Sequence, residues 1–132
     1  QNIPLGYKKK VLNNDYDFLK LSNLGYKTSF GNKPYDINYI TGSRKKHFVA
    51  CLVNKTSKIK MKIFSNQPGL QLYTGHKLNF KSKQKKLSTF QGLCLETQHF
   101  PNSPNQKNFP STLVLPNKKY RLFTNYKFEK MI

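Results

Sequence analysis

Only five acidic residues stand against twenty-four Lys and Arg in this 132-residue chain, so each carboxylate invites a search for a specific task. Glu96 lies in the run GLCLETQ and Asp36 in PYDINYI, both beside apolar or aromatic residues. An ionisable group is costly to bury in such company unless something binds it. Two carboxylates could cleave a glycosidic bond, with the outcome set by their separation. Alternatively, each accepts hydrogen bonds from nearby backbone and does nothing more. The residues alone leave these readings open.

Other chemistries find less support. His47, Cys51, Cys94 and His99 can be written as a Cys2His2 set, but neither half has the close Cys-Cys or His-His spacing of a metal site, so no metal is expected. A Gly-rich phosphate loop, a G-x-S-x-G elbow and a Walker motif are all missing. Cys51 in FVACLV and Cys94 in GLCLET read as buried, reduced thiols, which fits a cytoplasmic protein. Asn54-Lys55-Thr56 is formally a glycosylation acceptor, of consequence only in a secreted protein. Lysines cluster at 8–10, 44–46 (RKK), 81–86 and 118–119, interleaved with Tyr and Phe, and the net charge is +19. Weak, non-specific binding to a polyanion is the corresponding expectation, although lysines on solvated faces would give the same pattern. No run of eighteen apolar residues exists, so no membrane partner is expected.

The elements that must position these residues are strands. KIKMKIF (58–64) alternates Lys58, Lys60 and Lys62 with Ile59, Met61 and Ile63, the period of a strand with one wet face. HFVACLV (47–53), LQLYT (70–74), GLCLET (92–97), STLVL (111–115) and YRLFTNYKF (120–128) are short, rich in β-branched or aromatic residues, and separated by turn-forming residues. KSKQKKLS (81–88) reads as a solvated excursion and PNSPNQKNFP (101–110) as an irregular stretch. With no helical period and no repeat, the fold class is all-β, and the length suits one domain.

QPGLQLYTG (67–75), followed by GLCLETQHFPNSPNQKNFPSTLVLPNKKY (92–120), resembles the C-terminal signature of the aldose 1-epimerases, the galactose mutarotases. NIPLG (2–6), NDYDFLK (14–20) and YDINYI (35–40) resemble that family's I-P-x-G, T-x-F-D-F-R and Y-D-H-N-F segments, in the same order. The resemblance implies a galactose mutarotase-like β-sandwich, with residues 1–132 forming an incomplete, C-terminal part of it. It implies an isomerase that interconverts the α and β anomers of aldohexoses such as galactose and glucose, without a cofactor. Glu96 falls on the family's general base, and Asp36 and Gln71 fall on residues that bind the sugar. The base removes the proton of the C1 hydroxyl while an acid protonates the ring oxygen. The ring opens, the C1–C2 bond rotates, and reclosure gives the other anomer.

In the family the acid is a histidine upstream of the NIPLG segment, with a second histidine helping to hold the sugar, and His47, His76 and His99 match neither position. Ile37 replaces the His after the family's Asp, Leu19 and Lys20 replace an Arg, His76 replaces the Asn after Y-T-G, and KLNF replaces an F-L-D-G-type turn. Two further readings stay beside this one: a catalytically inactive relative that binds sugar through Asp36 and Gln71, and a basic β protein that binds polyanions.

Overall fold

In a computed structural model, residues 3–24, 34–42 and 45–132 are described. Among the described residues eight strands form: β1 (Asp36–Ile40), β2 (His47–Asn54), β3 (Ile59–Ser65), β4 (Gly69–Tyr73), β5 (Phe80–Lys81), β6 (Lys86–Leu87), β7 (Cys94–Gln98) and β8 (Thr124–Lys130). A 3-10 turn covers Ser103–Asn105. One sheet has the order β1-β4-β7, a second β2-β3-β8, and β5-β6 is a short hairpin. The chain divides into two compact units, Gln1–Ile37 with Leu72–Cys94, and Asn38–Gln71 with Leu95–Ile132, and the division falls within β1, β4 and β7.

The first unit is organised on Tyr35, 1 % exposed. Its hydroxyl donates to the Asp15 carbonyl at 2.6 Å, and the rings of Tyr16 and Phe18 meet it edge-on at 5.8 and 5.4 Å. Burial first, then the nearby Asp15 charge, raises the phenol above its ordinary value. NDYDFLK turns tightly to deliver those rings: Asn14 Oδ1 accepts from the Tyr16 N–H, while Asp17 accepts from the N–H groups of Leu19 and Asn13. Such side-chain bonds replace a backbone turn and are the reason Asn and Asp favour these places. The hairpin β5-β6 pairs Phe80 with Leu87 and Lys81 with Lys86, and Ser82 Oγ accepts from Gln84 and Lys85 at its tip. KSKQKKLS is therefore exposed except at half-buried Leu87, but it is paired rather than loose.

In the second unit, β3 is the centre of an antiparallel sheet, with Met61 opposite Leu52 and Phe128, and Ile63 opposite Ala50 and Tyr126. The pairing slips by one residue between Phe48 and Ala50, a bulge at Val49. Ile63 is fully buried, yet Lys60 and Lys62 are only half exposed, so the wet face is less wet than the alternation implies. Lys62 is drawn down by Glu129, whose Oε2 lies at 2.9 Å.

Several expectations fail here. Cys51 and Cys94 are exposed, not buried. Cys51 sits opposite Lys62 on edge strand β2, and an unbroken apolar run such as FVACLV does not say which face each residue takes. Cys94 is the first residue of β7. STLVL forms no strand: Ser111 Oγ accepts from the Leu113 N–H in a local turn, and Leu113, Val114 and Leu115 are exposed. Pro110 and Pro116 flank it, and neither can donate to a ladder. Conversely YDINYI supplies β1, which its composition did not announce. Asn2 of the NIPLG segment and Arg44 of the RKK cluster lie outside the described residues.

Candidate functional site

Tyr35, buried by its aromatic neighbours, also fixes the backbone that precedes Asp36. Its N–H donates to Thr74 Oγ1 at 3.0 Å, and the Thr74 N–H returns a bond to the Tyr35 carbonyl at 2.9 Å. Two of the ordered segments, YDINYI and LQLYTG, meet at this clamp. Asp36 follows it directly, opens β1 and is exposed. Gly75, which follows Thr74, has φ +69°, and a Cβ there would stand 2.5 Å from the Gly92 carbonyl. Only glycine suits both the backbone and the space. The Y-T-G and GLCLET segments therefore approach each other as closely as backbone allows.

In the second unit the QPG turn builds the start of β4. Pro68 accepts from the Thr41 N–H at 2.9 Å, and the Thr74-to-Tyr35 bond marks the other end of the same antiparallel strand pair. Counting inward from Thr41 and Pro68 places Asn38 opposite Gln71. A Cβ at Gly69 would lie 2.7 Å from Asn38 Oδ1 and 3.0 Å from Phe100 Cδ1, so the glycine makes room for the Asn38 amide beside Gln71. Asn38 Nδ2 is buried there without a hydrogen-bond partner among the described residues.

Glu96 stands at the middle of β7, the strand next to β4, and both Glu96 and Gln71 belong to the second unit. Its neighbours are tied to β8: Thr97 Oγ1 lies 2.6 Å from Thr124 Oγ1, and the Tyr126 hydroxyl makes a long bond of 3.5 Å to the Leu95 carbonyl. Alternation along β7 then turns the Glu96 side chain away from Thr97 and Leu95. Glu96 is exposed and Gln71 half-buried. The expectation that burial strains Glu96 and Asp36 fails, because both carboxylates reach solvent. The loop after β7 folds back on itself, with Phe100 against Phe109 at 5.1 Å and Ser103 Oγ donating to the Phe100 carbonyl at 2.7 Å. It anchors the end of the strand that carries Glu96.

The histidines have other company. His47 Nδ1 is 2.8 Å from the Lys45 carbonyl, His76 packs edge-on against Tyr73 at 5.2 Å, and His99 stacks on Tyr120 at 6.4 Å. Among the described residues no three His, Cys, Asp or Glu side chains gather as metal ligands. No helix among them is long and apolar enough to cross a membrane. Asn38 and the Tyr35–Thr74 clamp escaped sequence reasoning; their signal is strand register, which no single segment carries.

A model of the aldose 1-epimerase family matches residues 1–127. The chain is similar to galactose mutarotase of Homo sapiens, 34% identical over 131 residues, which are 96% of this chain and 38% of that protein. It is 28% identical over 102 residues to the aldose 1-epimerase of Escherichia coli, covering 73% of this chain and 30% of that one. The crystal structure of an aldose epimerase homologue from C. elegans matches with a TM-score of 0.88 at 20% identity, over 98% of this chain and 41% of that chain. This likeness shows the fold, an all-β arrangement of the galactose mutarotase type. The chain spans about two fifths of the length of the relatives named first in these matches.

Proposed function

The chain belongs to the aldose 1-epimerase family, and from that premise we propose that it takes part in the interconversion of α and β anomers of an aldohexose, galactose or glucose. Glu96 acts as the general base on the C1 hydroxyl, and Asp36 and Gln71 hold hydroxyl groups of the sugar. As the proton of the C1 hydroxyl transfers to the carboxylate, the C1 oxygen becomes a carbonyl, the bond from C1 to the ring oxygen breaks, and that oxygen takes a proton from an acid. The C1–C2 bond rotates, and the reverse transfers close the ring on the other face of the carbonyl. None of His47, His76 and His99 is assigned the role of the acid. A carboxylate open to solvent is accessible to a sugar. Gln71 offers both a donor and an acceptor, the pair a sugar hydroxyl can use.

The observation that carries this reading is the family match over nearly the whole chain, with Glu96 and Gln71 on neighbouring strands of one sheet. A titration with galactose, followed through the backbone amide resonances, tests it. Shifts confined to the neighbourhoods of Gln71, Glu96 and Asp36 at millimolar sugar are the expected outcome. A spectrum unchanged by either galactose or glucose defeats the assignment of sugar contacts to this chain.

A further inference from the structure

The second unit carries a groove of about 390 Å³ that the sugar reading leaves unused. The turn Asn66–Pro68, His99 and the segment 111–122 form its walls, while Glu96, Gln71 and Asp36 do not line it. Lys118, Lys119 and Arg121 line it, and no carboxylate does. Ser111 and Thr112 add hydroxyls, and Tyr120, 53% exposed, presents a ring whose plane lies 24° from that of His99. The wall is fixed rather than a loose tail: Asn66 Nδ2 donates to the Arg121 carbonyl and Asn66 Oδ1 accepts from the Phe123 N–H, both at 2.9 Å.

We propose that this groove binds a single-stranded nucleic acid, with phosphates on Lys118, Lys119 and Arg121 and a base stacked on Tyr120. Cations that track a backbone beside an exposed aromatic ring are the two parts such binding needs. The volume admits one nucleotide unit at a time rather than a duplex, and the surplus of positive charge, +19 over the whole chain, draws the polyanion in. The other lysine clusters, at 8–10 and 81–86, belong to the first unit, so they allow a control with the same change of charge.

Fluorescence anisotropy of a short labelled oligothymidylate, measured with the intact chain over a range of salt, tests the proposal. Lys118→Gln/Lys119→Gln/Arg121→Gln should weaken binding by about tenfold or more at low salt and lower the log–log salt slope by about 2, since each phosphate contact on a single strand contributes about 0.7. Lys81→Gln/Lys83→Gln/Lys85→Gln, with the same loss of charge, should change affinity by less than about twofold. Tyr120→Ala should weaken the oligonucleotide by about tenfold and leave heparin binding unchanged, because only a base stacks. Equal losses in the two triple variants would reduce the effect to net charge and overturn the groove. Loss of heparin and oligonucleotide together in Tyr120→Ala, or of neither, would overturn the nucleic-acid assignment. Absence of binding by the unaltered chain would overturn both.

Discussion

Lys62 and Lys127 are directly opposite across β3 and β8, and like charges in that position destabilise a sheet. Glu129, two pairs further along and so on the same face, bonds to both, its Oε2 2.9 Å from Lys62 Nζ and its Oε1 3.0 Å from Lys127 Nζ. The hydrogen bond from Lys62, then that from Lys127, lowers the Glu129 carboxyl from 4.5 to about 2. The folded chain therefore gains from the ionised carboxylate above the ordinary value, and this gain is lost as pH falls from 4.5 through about 2. Comparing the thermal midpoints of the unaltered chain and Glu129→Gln checks this. Their difference should be largest above pH 4.5 and vanish near pH 2; a difference independent of pH would refute the bridge. At this scale the ordered motifs name Glu96, Asp36 and Gln71 as the candidate residues. Cys51 and Cys94 were misread, since apolar neighbours in sequence are not apolar neighbours across a sheet.

Among the elements, β3 was the most legible, because KIKMKIF alternates and its partners supply matching residues on each side. β8 was read four residues early. Residues 120–123 do lie along β3's continuation, but beyond one long backbone bond of 3.3 Å from the Asn66 N–H to the Phe123 carbonyl it is the Asn66 side chain that holds them. An amide that donates to one peptide group and accepts from another imitates a strand. Asn66→Ala should cost about 1 kcal/mol, the usual worth of such bonds. Hydrogen exchange at the Phe123 amide should quicken while that of Met61 and Ile63 stays slow. Protection of Phe123 retained in the variant would show that the side chain does not hold the segment. β1 was missed because half of YDINYI is polar, and its strand character comes from β4, a partner some thirty residues away that offers Pro68 and Thr74 as anchors. STLVL failed the other way, with strand-like composition but no place in a ladder.

For the whole molecule, family and fold were readable from the resemblance of five segments in a fixed order, and four of them meet at constraints that the structure makes visible. The glycine of Y-T-G approaches Gly92, the glycine of Q-P-G leaves room for Asn38, and NDYDFLK delivers Tyr16 and Phe18 to Tyr35. The site was legible only as a list of residues. Its exposure, the register that sets Asn38 opposite Gln71, and the groove lined by Lys118, Lys119 and Arg121 depend on contacts between distant segments. Large apolar side chains such as Leu113, Tyr126 and Phe128 remain exposed in a chain that spans about two fifths of its relatives.

Polarimetry of α-D-galactose in the presence of this chain, beside Glu96→Gln, is the most direct test of the central claim. A positioned base contributes about 10² to 10⁴ in rate. The account predicts mutarotation faster than in buffer, first order in protein, with the protein-dependent rate lost in Glu96→Gln. Equal rates with the two proteins, or no acceleration by either, would contradict the assignment of Glu96 as the base carried by this chain.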